Sequence, residues 1–120
     1  GNLFDAVSLA AMAALKDARF PGFDAKTGKV KYDERTTKKL PLVCLPVGVT
    51  VIKVGEHVLV DPSSREESGL DSRLTVTSIE DGTICAMQKG GDMEISMEDI
   101  DKMISLALKK SAELRKHLEK

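Results

Sequence analysis

Residues 3–18 constrain the fold more than any other part of the chain. They are dominated by strong helix formers, and within residues 6–15 the only polar side chain is that of Ser8. Asn2 stands where it can cap the helix, and Asp5 lies near the positive end of the helix. A helix that is apolar nearly all round needs cover on more than one side, whereas a domain of 120 residues has one core. The sequence therefore predicts that a further domain or a partner chain covers its second side.

The middle of the chain predicts a β-sheet. β-branched residues are frequent at 49–60, on both sides of Gly55-Glu56, and again at 74–87, on both sides of Asp81-Gly82. Both pairs of residues favour tight turns. We therefore expect two hairpins.

A second helix ends the sequence. Ser96 and Asp99 have the spacing of a capping box. An amphipathic helix of about 22 residues follows, with one apolar stripe and with basic residues towards its end. The expected fold class is thus α+β: a mostly antiparallel sheet from two hairpins, covered by an N-terminal and a C-terminal helix.

Residues 19–46 show no helical periodicity, and we expect a long basic loop here, with at most a short strand near 30–32. Positions 19–39 hold seven basic side chains against three acidic ones, a local net charge of +4. Such a segment is usually a solvated loop, but the same charge also fits contacts with phosphate groups or with a partner. The candidate RNA or partner contacts are Arg35, Lys38 and Lys39.

The overall net charge of −1 excludes a basic protein that coats nucleic acid through its whole surface. Cys44 and Cys85 have no second Cys or His at ligand spacing, so neither a zinc site nor another metal or cofactor site is predicted. Both are interpreted as reduced core residues, with a disulfide as the alternative. The longest apolar stretch, 7–15, is far shorter than the roughly 20 residues that cross a bilayer. We expect a soluble, cytoplasmic protein.

Few residues offer catalytic chemistry. His57 lies in or beside a strand and His117 near the end of the last helix, where solvent-exposed roles are commoner than catalysis. The polar stretch 60–73 holds four carboxylates, and clustered carboxylates can bind Mg²⁺. Because Arg65 and Arg73 lie among them, a salt-bridged connecting loop is favoured over a metal site.

Three stretches together resemble the second domain of the RNase PH family, most closely the non-catalytic RNase PH-like subunit of the archaeal exosome. The resemblance extends from Gly1 to the final helix. The stretches are Gly1-Asn2-Leu3-Phe4-Asp5-Ala6 at the start of the Ala-rich helix, Val60-Asp61-Pro62 followed by Arg65-Glu66-Glu67, and Asp81-Gly82-Thr83-Ile84-Cys85-Ala86-Met87 with the Lys89-Gly90-Gly91 that follows.

The resemblance implies a hexameric ring of alternating subunits that degrades RNA from its 3′ end with phosphate as the attacking group. Catalytic members carry two aspartates six positions apart, and the matching positions here are Glu67 and Arg73. A cation at the second position departs from the catalytic pattern, so no catalytic residue is carried over. A register that pairs Asp61 with Glu67 is the alternative, but it breaks the alignment of the flanking strands.

The leading hypothesis is therefore a structural, non-catalytic subunit whose partner is the catalytic RNase PH-like subunit, with this chain forming the second half of a two-domain protein. A second hypothesis is an active phosphorolytic exoribonuclease that uses Asp61, Glu67 or Asp71 with Mg²⁺. A third is a freestanding α+β module whose segment 19–39 contacts RNA.

Overall fold

A computed structural model describes residues 1–119 and confirms the expected α+β class. Two antiparallel sheets are formed, one of two strands in the order β1-β2 and one of four strands in the order β4-β3-β5-β6. The helices and strands, in chain order, are α1 Leu3–Asp17, β1 Arg19–Asp24, β2 Lys29–Lys39, β3 Val47–Val54, β4 His57–Val60, α2 Ser64–Ser68, β5 Ser72–Ser78, β6 Ile84–Gly90 and α3 Met97–Arg115.

The core lies between the four-stranded sheet and α3. Alternate residues of β5 are buried, as expected for a strand with one face against a helix, and β3 is buried on both faces over Val47–Ile52. The innermost apolar side chains are aliphatic or methionine: Val49, Val51, Leu74, Val76, Met103 and Ala107.

Two polar anchors hold α3 on the sheet. Ser96 caps the helix, since its Oγ accepts a hydrogen bond from the Asp99 N–H at 3.1 Å, which confirms the predicted cap. The Asp99 carboxylate also pairs with Lys53 Nζ at 2.5 Å, and this hydrogen bond lowers the pKa of Asp99. At the other end of α3 the buried Arg115 donates to the carbonyl oxygens of Leu45 at 3.1 Å and Ser78 at 2.6 Å.

Helix α1 lies along the part of β3 that β4 is too short to reach. Two backbone N–H groups of β3 that β4 does not reach bond to α1 instead. Thr50 donates to both carboxylate oxygens of Asp5, at 2.8 and 3.0 Å, and Gly48 donates to Ser8 Oγ at 3.3 Å. Ser8, the lone polar residue in the apolar stretch of this helix, thus provides an acceptor for a backbone N–H at the edge of the sheet.

One side of α1 is left uncovered by residues 1–119, as its all-round apolar sequence led us to expect. The exposed large side chains on it are Leu3, Phe4, Val7 and Leu15, which are between 43% and 71% exposed.

The long loop predicted for residues 19–46 is wrong over most of its length, because 19–39 form the β1–β2 hairpin. Both strands are exposed over most of their length, so their side chains show no alternation that would indicate a strand. A signal was present in the turn: Asp24 Oδ1 accepts from the Lys26 N–H at 2.9 Å, and Gly28 closes the turn with a φ of 69°. Within residues 19–46, the part that remains an irregular loop is 40–46, between β2 and β3.

Among the described residues, none of the helices combines the length and apolar character required to cross a membrane.

Candidate functional site

The two positions that the resemblance sets against the catalytic pair lie close together in the structure. Glu67 on α2 and Arg73 on β5 line one small cavity of about 180 Å³. The other residues around it come from α1, β3 and the segment after α2: Leu3, Phe4, Thr50, Ile52 and Leu70. This cavity, with the residues that line it, is called the pair cavity below.

Glu67 is committed to a structural contact. Its Oε1 accepts a hydrogen bond from the backbone N–H of Asn2 at 2.7 Å, so a carboxylate lies at the positive end of α1. The prediction that Asn2 caps this helix with its own side chain is wrong. Asn2 has a left-handed φ of 57° and its side chain donates to Asp61 Oδ1 at 3.2 Å instead. A residue 65 positions away in sequence therefore performs the capping.

Arg73 faces an aromatic ring. Its guanidinium carbon lies 4.8 Å from the centroid of the Phe4 ring, a cation–π geometry. Gly90, its neighbour on β6, leaves room for it, because a Cβ at that position would come within 2.6 Å of Arg73 Nε. The pair cavity thus contains one carboxylate, that of Glu67, and one guanidinium, that of Arg73.

The other carboxylates of the stretch 60–73 are dispersed into separate hydrogen bonds. Asp71 accepts from the Gly55 N–H at 2.7 Å. Glu66 forms a capping box with Ser63 at the start of α2, and hydrogen bonds from Ser63 lower the pKa of Glu66. The salt-bridged loop predicted here is wrong, since the ion pairs of the described residues all lie elsewhere and the segment contains α2.

Within residues 1–119, no three His, Cys, Asp or Glu side chains are grouped so that they could hold a metal ion. His57 and His117 are both exposed. Cys44 and Cys85 are free thiols, and Cys85 is exposed, which corrects the expectation that both lie in the core.

Asp5 is a buried acid whose role the sequence did not reveal. It is 6% exposed, and burial raises its pKa although hydrogen bonds from Thr50 and Asn2 act in the opposite direction. Its position in the first turn indicated only a favourable interaction with the helix dipole. The contact with Thr50 depends on where β4 ends, which no local pattern shows.

The three basic candidates lie on the β1–β2 hairpin. Lys38 Nζ lies 5.4 Å from the centroid of the Phe20 ring, and Lys38 lines a groove on this hairpin. Arg35 pairs with Pro21 and Lys39 with Arg19 across the two strands, and both are exposed outside the groove. The structure therefore places all three on the β1–β2 hairpin, and of the three only Lys38 lines the groove.

Comparisons with known proteins place the chain in a family. The family described as the 3′ exoribonuclease family, domain 2, matches residues 44–110. The chain is 38% identical over 120 residues to the exosome complex component Rrp42 of Methanothermobacter thermautotrophicus, covering 100% of this chain and 44% of the relative. It is 46% identical over 121 residues to the Rrp42 component of Thermococcus gammatolerans, covering 98% of this chain and 44% of that protein.

Solved structures show the same likeness. One described as an archaeal exosome core superposes with a TM-score of 0.83 at 36% identity, covering 100% of this chain and 46% of the other. A second, the Archaeoglobus fulgidus exosome with RNA bound to the active site, has a TM-score of 0.81 at 37% identity, covering 98% and 43%. The chain spans less than half the length of each of these relatives. By its fold, its sequence and its match to domain 2, the chain belongs to the 3′ exoribonuclease (RNase PH) family.

Proposed function

We propose that this chain is the second domain of a non-catalytic, structural subunit of an archaeal exosome ring. In this role it supports phosphate-dependent 3′-to-5′ RNA degradation and RNA binding by the assembled complex. The observation that carries the proposal is the pair cavity, in which the guanidinium of Arg73 stacks on Phe4; the resemblance sets Arg73 against the second position of the catalytic pattern.

The charge of Arg73 opposes the chemistry of a catalytic pair. Two carboxylates can hold a divalent cation or orient a proton, whereas a guanidinium that lines the same cavity repels a cation and cannot accept a proton. The remaining carboxylate, that of Glu67, already accepts the Asn2 N–H at 2.7 Å. Both residues thus stabilise the junction of α1, α2 and β5.

The ring itself is also part of the proposal. The matched relatives are named as components of an exosome complex, and the chain spans 44% of their length, which supports a second domain within a two-domain subunit. The uncovered side of α1 supports a contact with another domain or chain. The proposed partner is the catalytic RNase PH-like subunit, in a ring of alternating subunits in the cytoplasm.

Assembly is the first test. The natural subunit that carries this chain is mixed with the catalytic RNase PH-like subunit of the same organism and weighed by native mass spectrometry. A hetero-hexamer is the expected product. Failure to form any heteromeric ring would refute the proposed role.

Activity is the second test. The isolated subunit is incubated with poly(A), phosphate and Mg²⁺, and no release of nucleoside diphosphate is expected. In the assembled ring, Glu67→Gln is compared with Glu66→Gln, the neighbouring carboxylate on the same helix; glutamine keeps an acceptor for the Asn2 N–H. Both variants should degrade RNA at the wild-type rate. A loss of activity in Glu67→Gln alone, with the ring intact, would show instead that this subunit is an enzyme.

A further inference from the structure

The aromatic residues of this chain are concentrated outside the core. The sequence contains three phenylalanines, one tyrosine and no tryptophan. Three of these four side chains lie on the β1–β2 hairpin, where Phe20, Phe23 and Tyr32 are 38%, 66% and 84% exposed. Aromatic side chains normally supply much of a buried core, so this distribution indicates a surface that makes contacts.

The hairpin carries a groove of about 420 Å³ on one face, here called the hairpin groove. Strand pairing is irregular on either side of Pro21, which lines the groove, and such irregularities bend a hairpin and increase its twist. Thr36 Oγ1 donates to the Phe20 carbonyl oxygen at 2.7 Å and holds the strands together beside it. The residues that line the groove are Phe20, Pro21, Gly22, Phe23, Val30, Thr36 and Lys38.

The β1–β2 hairpin carries a net positive charge, whereas the rest of the chain carries a net negative charge. Residues 19–39 hold seven of the 18 basic and three of the 19 acidic side chains, a net of +4. The remaining 11 basic and 16 acidic side chains leave the rest of the chain with a net of −5. A polyanion is therefore repelled by most of the surface and attracted to the hairpin.

We propose that the hairpin groove binds single-stranded RNA. Unpaired bases stack on the exposed ring of Phe23, with the Phe20 ring beside it, and phosphate groups contact Lys38, which lines the groove. Arg35 and Lys39 lie outside the groove and add to the positive charge of the hairpin. Two exposed rings beside a lysine, on an exposed β-surface, provide a platform for bases of any sequence. That the polyanion is RNA rests on the proposed function. The groove and its positive charge are observed independently of that function.

Fluorescence anisotropy with labelled single-stranded oligo(A) and oligo(U) tests this proposal. The titrations use the natural subunit in phosphate-free buffer, so that no phosphorolysis takes place. Phe23→Ala removes a stacking ring and should weaken binding about 5- to 150-fold, for either RNA sequence. Met87→Ala is the matched control, because Met87 is also an exposed apolar side chain but lies on β6. It should leave the affinity unchanged.

The salt dependence separates phosphate contacts from stacking. Lys38→Gln should reduce the slope of log affinity against log salt by about 0.7, while Lys109→Gln on the exposed surface of α3 should not change it. Wild-type protein should also bind a single strand more tightly than a duplex of the same length, whose bases are not free to stack. Equal affinity for the duplex would overturn the stacking role.

Assembly is measured on the same variants by native mass spectrometry. Phe23→Ala that forms the ring but loses RNA supports the proposal. Phe23→Ala that keeps the RNA affinity of the wild type overturns the proposal. If this variant keeps its RNA affinity but forms no ring, the groove binds the neighbouring subunit instead of RNA. A wild-type subunit that binds RNA but forms no ring leaves the hairpin groove supported and refutes the proposed function alone. Because the hairpin does not contribute to the core, circular dichroism should show the same thermal transition for every variant.

Discussion

Replacing Asp5 by alanine tests whether a buried carboxylate stabilises the edge of β3 that β4 leaves unpaired. In the wild type the Thr50 N–H, on a residue that is 4% exposed, donates to both oxygens of Asp5 at 2.8 and 3.0 Å. Alanine leaves this N–H without an acceptor in a position that water reaches poorly. Helix α1 should remain helical, since alanine is the best helix former.

The magnitude follows from the groups involved. A hydrogen bond to a charged acceptor is worth about 1.5–3 kcal/mol, and an orphaned buried N–H costs a similar amount. Asp5 also interacts with the α1 dipole, which adds about 0.3–1 kcal/mol. Against this, alanine has a helix propensity better by about 0.7 kcal/mol or less, and the cost of burying a carboxylate disappears. We expect the free energy of unfolding to fall by about 2 kcal/mol.

Urea unfolding followed by far-UV circular dichroism measures this change. With a slope of about 1–3 kcal/mol/M, the midpoint should fall by about 1 M at unchanged slope. Ser8→Ala is the matched control on the same helix face: its Oγ accepts the Gly48 N–H at 3.3 Å, a longer and neutral hydrogen bond. It should cost about 0.5–1 kcal/mol. An Asp5→Ala variant as stable as wild type, or less affected than Ser8→Ala, would show that the Asp5 carboxylate does not stabilise the edge of β3.

The pH dependence provides an independent check on Asp5. Burial raises its pKa above the ordinary value of 3.8, so the folded state binds a proton more tightly than the unfolded state. Its contribution to stability is therefore largest below pH 3.8 and is lost as the pH rises through the folded-state pKa. Relative to Asp5→Asn, which does not titrate, wild type should lose stability as the pH rises. The opposite slope would show that the hydrogen bonds outweigh burial.

Three further changes test the core and its anchors. Met103→Ala, at a fully buried site, should lower the free energy of unfolding by about 2–5 kcal/mol in the same urea assay; a cost below about 1 kcal/mol would contradict the assigned core. Arg115→Ala, which removes the 2.6 Å hydrogen bond to the Ser78 carbonyl and a second carbonyl contact, should cost about 2–3 kcal/mol, with Arg115→Lys recovering only part of it. Asp99→Asn should reduce the acid sensitivity of thermal unfolding. The hydrogen bond from Lys53 lowers the pKa of Asp99, so its contribution is present above pH 3.8 and is lost as the pH falls through the folded-state pKa; an unchanged pH profile would contradict this.

The four-stranded sheet was predictable from its β-branched residues and its turn pairs, since alternation of burial is present in β5 but not in β3 or β6. The strands at 49–60 and 74–87 carry β-branched residues and turn signals, and both hairpins form. The β1–β2 hairpin was missed because β2 is mostly charged and β1 contains Pro21 and Gly22, so neither strand is a run of β-branched residues. Its strands are held by backbone pairing and a turn at Gly28, which a hydrophobic pattern does not report.

The pair cavity was only partly predictable. The resemblance indicated Glu67 and Arg73 as the matching positions, and the structure brings them to one cavity. The hydrogen bond from Asn2 to Glu67 and the stacking of Arg73 on Phe4 join residues far apart in sequence. Local propensities cannot specify such contacts, because they depend on how α1 is placed against β3 and α2.

The position of Tyr32 has a consequence for optical measurements. It is the single tyrosine of a chain without tryptophan, and it lies 84% exposed on the β1–β2 hairpin, away from every buried cluster. The intrinsic fluorescence of Tyr32 therefore reports on the β1–β2 hairpin and hardly at all on the packing between the four-stranded sheet and α3. A change of that emission on adding RNA, after correction for the light that RNA itself absorbs, would detect binding at the β1–β2 hairpin without any attached dye.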